Sequence, residues 1–174
     1  SDRRYIRIDG RPLFLVYRSE LIPDPRRSAE IWRAAAQRAG LGNLFIVRVE
    51  GFEQGIEPAS IGFDAALEFA PDWRRAGRMV FNRVQRLASY VGLFPKGYFE
   101  HRFADYRKMM ALMLAKPVPP YPWYRCATPG FDNSARRKSD ATIFVNGTPD
   151  DYQQWLTEIA RRELVNERPV DQKM

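Results

Sequence analysis

The sequence predicts an α/β protein made of parallel β/α units. Short, nearly continuous apolar runs alternate with amphipathic helical patterns along most of the chain. Continuous apolarity, without a polar residue at every second position, is typical of strands that are buried on both faces of a parallel sheet. We therefore expect a twisted parallel sheet with helices packed against it.

Five apolar runs are predicted to be strands. The first follows the turn residues Asp9-Gly10, the second leads directly to Glu50, and the third stops before Pro71. The fourth is aromatic and follows a proline-rich segment. The five runs are Leu13–Tyr17, Leu44–Val49, Phe63–Phe69, Tyr121–Cys126 and Ala141–Val145.

Helix boundaries are marked by capping residues. Asp24 followed by Pro25 is typical of a helix start, and Gly40 of its end. Further helices are predicted near 81–91 and over 101–115, where the methionines are expected to fill core space. Thr148 caps a last helix with one apolar stripe, and residues 166–174 form a polar tail that frays. We treat residues 1–174 as a single α/β domain.

Composition narrows the classes of function. The chain has 28 Lys and Arg against 21 Asp and Glu, a net charge of +7, but the basic residues are scattered in pairs, so nucleic acid is not the expected partner. A single cysteine, Cys126, excludes an internal disulfide and favours a reducing, cytoplasmic compartment. With one histidine, His101, a zinc site is not predicted, nor is any cofactor. No apolar run is long enough for a membrane span.

Polar residues follow several of the predicted strands. Ligands of parallel α/β sheets meet the carboxyl ends of the strands, where Tyr17-Arg18, Glu50, Glu68 and the Asp132-Asn133 turn are expected to gather. Sugar transfer needs a pair of carboxyl groups, one to protonate the leaving oxygen and one to stabilise or attack the anomeric carbon. Arg18 could pair with an acid or hold an anionic group. Each residue taken singly could equally be a cap or a surface ion pair.

The segment 121–138 places aromatic rings beside carboxylate, amide and guanidinium groups. Such a surface suits a polyhydroxylated ligand, because sugar faces stack on rings while hydroxyls need donors and acceptors. The alternative is a solvated connection with a turn at Pro129-Gly130. Both interpretations stay open from the residues alone.

Several motifs together resemble one family. They begin with Arg4-Tyr-Ile-Arg-Ile-Asp-Gly-Arg-Pro-Leu13 leading to Val16-Tyr17-Arg18, and continue with Gly62–Phe69 and Tyr121–Arg125. Pro129-Gly-Phe-Asp-Asn-Ser-Ala-Arg136 and Ala141–Phe144 with Thr148-Pro149 follow in the same order. This combination resembles the WbsX-like proteins of bacterial polysaccharide gene clusters, which are also described as having a glycoside hydrolase family 99-like domain.

The resemblance implies a partial TIM-like (β/α) barrel, with an open twisted sheet as the alternative, acting on glycans of lipopolysaccharide or O-antigen assembly. It leaves transferase and hydrolase activity open. Relatives carry an upstream Trp-Ala-Asn-Glu-Asn-Trp and a downstream Asn-Ala-Trp-Asn-Glu-Trp segment that this sequence lacks, and Asp72 stands where they often have histidine. The chain is therefore expected to be the middle of a larger barrel, inactive alone.

Our leading hypothesis is a carbohydrate-active domain whose partner is an oligosaccharide or polysaccharide. The alternative is a non-catalytic glycan-binding or assembly module, and open sheet edges could promote self-association. The predicted site comprises the catalytic residues Glu50, Glu68 and Asp132 and the substrate-binding residues Tyr17, Arg18, Asp64, Asn133 and Arg136, with no metal ligand.

Overall fold

The computed structural model describes residues 2, 4–75, 77, 80, 83–93 and 100–165. The α-helices of these residues are α1 (Pro25–Arg38), α2 (Arg83–Tyr90), α3 (Tyr106–Leu114) and α4 (Pro149–Val165). Their strands are β1 (Arg7–Ile8), β2 (Arg11–Val16), β3 (Phe45–Glu50), β4 (Ala65–Glu68), β5 (Arg102–Asp105), β6 (Trp123–Tyr124) and β7 (Thr142–Val145).

The main sheet has the strand order β1-β2-β3-β4-β6. Strands β2, β3, β4 and β6 run parallel, and only the short β1 pairs antiparallel, with the start of β2. This arrangement confirms the predicted α/β class with parallel β/α units. Within the described part of the chain the sheet runs from β1 at one edge to β6 at the other. Self-association through such edges stays a prediction.

The chain divides into two compact units, and the main sheet belongs to the first, which comprises residues 1–69, 117–126 and 160–174. Every residue of β3 is buried, including the charged Arg48 and Glu50 in an otherwise apolar sequence that is typical of a buried strand. Apolar clusters cover both faces of the sheet. One contains Ile8, Phe45, Val47, Ala65 and Tyr124, and the other contains Val16, Ala29, Ile46 and Phe63.

Helix α1 begins and ends at the predicted residues. The Asp24 side chain accepts a hydrogen bond from the Arg27 amide (2.8 Å), and Pro25 occupies the first helical position. The helix gives way to Gly40 in the left-handed region at φ +72°, where a side chain would be strained. Capping chemistry alone therefore located this element.

The second unit comprises residues 70–116 and 127–159 and contains a parallel pair of strands, β5 and β7. The predicted helix over 101–115 is wrong for its first turn. Residues 102–105 pair with β7, from Arg102 opposite Thr142 to Asp105 opposite Val145. Asp105 then caps α3 by accepting from the Lys108 amide (3.0 Å). The predicted strand 141–145 thus pairs with β5 and not with the main sheet.

The core of this second unit is built from α3 and the first three turns of α4. The methionine cluster fills it, as predicted, and Tyr106 meets Trp155 edge to face with centroids 6.0 Å apart. The Tyr106 hydroxyl also donates to the Thr128 carbonyl at 2.6 Å. The buried members of this core are Tyr106, Met109, Met110, Met113, Trp155 and Ile159.

Two predictions fall partly or entirely outside the described residues. The helix expected at 81–91 is described only from Arg83 onward, as α2, and the frayed tail 166–174 lies entirely outside. The single-domain assignment stays a prediction. None of the helices in the described ranges combines the length and the apolarity needed to cross a membrane.

Gly147 provides a test of the second core. A Cβ atom at this position would lie 2.8 Å from Cγ of Tyr106, whose ring is almost completely buried. We expect Gly147→Ala to lower the free energy of unfolding by about 1–3 kcal/mol, the usual cost of overpacking, measured by urea denaturation. Gly130→Ala is the control, because nothing lies within 4 Å of its Cβ. Equal midpoints for the two variants would contradict this packing.

Candidate functional site

A fully buried arginine lies near the carboxyl end of β3. The Arg48 side chain is 0% exposed. Its guanidinium donates to the carbonyls of Glu53 (2.9 Å) and Ile56 (3.0 Å) and, more weakly, to the Ser19 hydroxyl (3.4 Å). It also forms an ion pair with Glu50 at 3.3 Å. Arg48 therefore fixes the loop that follows β3 and the segment that follows β2.

Glu50 is the acceptor at the centre of this network. Its Oε1 accepts from the Tyr121 hydroxyl (2.7 Å) and the Gly55 amide (3.3 Å), and its Oε2 accepts from the Trp123 indole (2.9 Å). Burial, together with the Glu50 carboxylate, raises the pKa of Tyr121 to about 12. With Arg48 added, both carboxylate oxygens are occupied by donors, so Glu50 joins the ends of β3 and β6.

Glu68 lies beside Glu50, as predicted. The two residues are register partners at the carboxyl ends of β3 and β4, so their side chains leave the same face of the sheet. Adjacent strands are about 4.8 Å apart. Glu68 is 1% exposed, and its Oε2 accepts from the Cys126 amide at 3.3 Å. The structure therefore brings two of the three predicted catalytic acids together.

Three aromatic rings follow the carboxyl ends of β2, β3 and β4, and we call them the aromatic rim: Tyr17, Phe52 and Phe69. The Tyr17 ring lies 5.8 Å from Phe52 and 5.7 Å from Phe69, centroid to centroid. Tyr17 is 50% and Phe52 39% exposed. Rings that contact each other and solvent at strand ends form a surface on which the apolar face of a sugar can stack.

Arg18 extends the aromatic rim with a positive charge. Its guanidinium carbon lies 3.8 Å from the Phe52 ring centroid, in a cation–π contact. It is also paired with the Glu20 carboxylate. Arg18 thus neutralises a neighbouring acid, one of the two roles considered for it, while its partly exposed guanidinium still borders the rings.

Asp64 does not join this group. It precedes β4 and so lies at the amino end of the strand, opposite to the end that carries Glu68. Its carboxylate binds Arg11 and Arg33, each at 2.8 Å, and accepts from the Ile46 amide at 2.8 Å. The prediction that Asp64 lines the same site is therefore wrong. Its carboxylate instead links α1 and the first residue of β2 to β3.

The remaining predicted residues belong to the second unit. Exposed Asp132 accepts from the Ser134 amide (2.7 Å), and this hydrogen bond lowers the pKa of Asp132. The Asn133 side-chain oxygen accepts from the Thr142 amide (2.8 Å), which ties the turn to β7. Arg136 is exposed. Asp132 and Arg136 are therefore open to solvent, whereas the amide oxygen of Asn133 supports the turn.

A second feature of the first unit is a cavity of about 500 Å³. Its lining includes Trp123, the indole that donates to Glu50, and the Arg125 guanidinium lies 5.0 Å from that ring. Arg161 and Arg162 of α4 also contribute. The buried Glu163 carboxylate lines the same cavity, so three guanidinium groups face one opposing charge there.

Sequence reasoning missed Arg48, Phe52 and Phe69 as site residues. Arg48 interrupts an otherwise apolar buried run, and a charged residue inside a strand buried on both faces signals a buried polar network. Tyr17 and Phe69 are the last residues of two predicted strands, and Phe52 comes three residues after the end of a third, at Val49. This shared placement was the available signal for the aromatic rim.

Comparisons with known proteins place these features in a family context. The family model described as "Glycosyltransferase WbsX" matches residues 1–174. Two curated relatives, both named uncharacterized protein WxcX, come from Xanthomonas campestris pv. campestris, strains ATCC 33913 and B100. Each is 34% identical over 163 residues, which is 94% of this chain. The chain spans 22% of the length of these relatives.

One solved structure is also similar. It is described as a glycoside hydrolase-like protein and is 15% identical in sequence. The superposition covers 92% of this chain and 42% of the other chain, with a TM-score of 0.48. A likeness of this size does not by itself establish a shared fold. The fold described above rests on the strand order and register of this chain.

The Glu50 network predicts a large loss of stability on substitution. Glu50→Gln places an amide among groups that all donate, and leaves Arg48 buried without its counter-charge. We expect a decrease of about 3–5 kcal/mol in the free energy of unfolding, as for other broken buried ion pairs, measured by chemical denaturation.

The matched control is Glu30→Gln on α1. It neutralises an exposed pair with Arg27, separated by 3.0 Å, and exposed pairs contribute less than about 1 kcal/mol. If Glu50→Gln were no more destabilising than this control, the buried network would not be an important source of stability.

Proposed function

Because the chain belongs to the glycosyltransferase WbsX family, we propose that it is a carbohydrate-active, glycosyltransferase- or glycoside-hydrolase-like domain that binds its glycan at the aromatic rim. This family match confirms the resemblance that the sequence motifs indicated. The motif resemblance supports a role in bacterial lipopolysaccharide or O-antigen assembly, and the single cysteine supports a cytoplasmic location. The observation that carries the proposal is the rim itself.

The aromatic rim has the chemistry of a sugar-binding surface. Tyr17 and Phe52 are exposed although both are aromatic, and they meet at the strand ends where ligands of parallel sheets are bound. Tyr17 adds a hydroxyl and Arg18 adds guanidinium donors at the border of the rings. An aromatic stacking surface beside polar groups is complementary to a sugar ring, which has an apolar face and a hydroxylated edge.

The predicted catalytic carboxyl groups differ in their suitability for catalysis. A general acid needs an oxygen that can carry a proton, and both oxygens of Glu50 accept from N–H or O–H donors. We therefore assign Glu50 to positioning. Glu68 of the first unit stays a proposed catalytic acid, and Asp132 of the second unit stays a separate candidate. No second acid is proposed to complete a pair with Glu68, so the chain alone is proposed to be catalytically incomplete.

A second candidate is glycan binding without turnover. The saturation of Glu50 favours it, because one of the three predicted acids is committed to holding strands together. Under this alternative the rim still binds the sugar, and the buried acids serve only the fold. Binding and turnover measurements on the same chain separate the two functions.

The first experiment tests glycan binding. Phe52→Ala is expected to weaken the affinity for an O-antigen oligosaccharide or oligomannose about fivefold, since an aromatic contact contributes about 1 kcal/mol, measured by titration calorimetry. Phe14→Ala is the control, because Phe14 has nearly the same exposure (37% against 39%) but packs against Trp32. A glycan that binds equally well to both variants would place its site elsewhere.

The second experiment tests turnover. We expect the chain to bind the oligosaccharide but to release or transfer sugar no faster than its Glu68→Gln variant, measured by chromatography of the products. A loss of about 10²-fold or more in the variant would show a working general acid or nucleophile at Glu68 and overturn the proposed incompleteness. Exposed Glu57→Gln controls for the loss of a negative charge.

A further inference from the structure

An exposed tryptophan of the second unit has no role in the site described above. Trp73 is 38% exposed, and its ring meets the half-buried Phe131 edge to face, with centroids 4.8 Å apart. Trp155, in the core of the same unit, is only 1% exposed. Because the burial of an indole ring is strongly favourable, a tryptophan left open to solvent beside a second ring offers a stacking surface for a ligand.

A buried ion pair holds Trp73 in place. Asp72 and Lys116 are 4% and 8% exposed, and their charged groups lie 3.1 Å apart. The Asp72 carboxylate also accepts from the Arg74 amide at 3.0 Å, as in an Asx turn. These contacts fix the short 3₁₀ turn that begins at Trp73 beside Lys116, two residues after the end of α3. The ring is therefore positioned before a ligand arrives, which lowers the cost of binding.

The segment that carries Phe131 also carries a polar side chain on the same side. Asp132 forms an antiparallel bridge with Ile143 of β7, so residues 131–133 run as an extended segment along that strand. Side chains two positions apart in an extended segment point to the same side. Asn133 therefore shares the side of Phe131, whereas Asp132 points to the other side and is not part of this surface.

The side-chain amide of Asn133 is oriented by β7. Its oxygen accepts from the Thr142 amide at 2.8 Å, which leaves the nitrogen with two N–H donors. None of the residues that the structure describes accepts from this nitrogen. A donor on the side of two contacting rings is complementary to a sugar, whose hydroxyl oxygen accepts while its apolar face stacks.

We propose that Trp73, Phe131 and Asn133 form a second sugar-binding site, which is built from the second unit alone. The proposal rests on the proposed function in one respect, since it takes the ligand of a chain in a glycosyltransferase family to be a glycan. The Trp73 ring stacks on the apolar face of a pyranose, and the Asn133 amide donates to a hydroxyl at the edge of the same sugar.

Calorimetric titration of the whole chain with an O-antigen oligosaccharide or oligomannose tests the stacking contact. Trp73→Ala is expected to weaken the affinity about fivefold, whereas Trp73→Phe, which keeps a ring, should weaken it less than about twofold. Trp32→Ala is the matched control and should bind like the unmodified chain. Trp32 also meets a phenylalanine, Phe14, edge to face, with centroids 5.3 Å apart, but it lies in the first unit. Circular dichroism confirms that each variant is folded.

Asn133→Asp separates ligand binding from the support of the turn. Aspartate keeps an oxygen that accepts from the Thr142 amide but has no N–H group. The glycan affinity should therefore fall about fivefold, while the midpoint of urea denaturation stays close to that of the unmodified chain. Ser139→Asp adds the same charge at an exposed position nearby and should leave the affinity unchanged.

The two glycan sites are distinguished by their own variants. Unchanged affinity in Trp73→Ala, together with weaker binding in Phe52→Ala, would overturn this inference and leave the aromatic rim in place. Weaker binding in Trp73→Ala and Asn133→Asp, with unchanged affinity in Phe52→Ala, would support the second site and overturn the assignment of the glycan to the rim. A chain that binds neither saccharide would overturn both.

Discussion

The buried ion pair between Arg48 and Glu50 is the interaction on which the first unit depends. Two charges within a sheet that is apolar on both faces are tolerated only when nearly every donor and acceptor is satisfied. Arg48 meets this condition through loop carbonyls, and Glu50 through Tyr121 and Trp123. The same contacts fix the loop after β3 and the start of β6. The hydrogen bonds that satisfy the two buried charges therefore also set the position of the aromatic rim.

The aromatic rim is a consequence of that arrangement. Phe52 follows β3 by two residues, so the loop that Arg48 holds also sets the place of its ring. Tyr17 and Phe69 reach it from the neighbouring strands. In the function proposed for this chain, the buried polar network positions the strand ends and the exposed rings contact the ligand. Glu50, an acid at a strand end, is therefore engaged in contacts that hold the fold together.

The second unit shows how neighbours override local sequence. The sequence predicts a helix from residue 101 onward, yet Arg102–Asp105 forms β5. Its partner β7 lies 40 residues further along and supplies the backbone hydrogen bonds that make the strand favourable. Asp105 then starts the helix by capping it. A sequence window could identify the helix but not the residue at which it begins.

The sequence by itself determined the α/β class, the helix start at Asp24-Pro25, the methionine core of α3 and membership of the family. Each of these follows from short local patterns, namely apolar runs, capping residues and family motifs. Only the tertiary structure decided which polar residues meet. Glu50 and Trp123 are 73 positions apart, and Asp64 lies four positions before Glu68 yet at the other end of the same strand. Strand register and direction decide which of these residues lie close together in space. Both depend on backbone pairing between segments that are distant in sequence, and a local sequence pattern does not show this pairing.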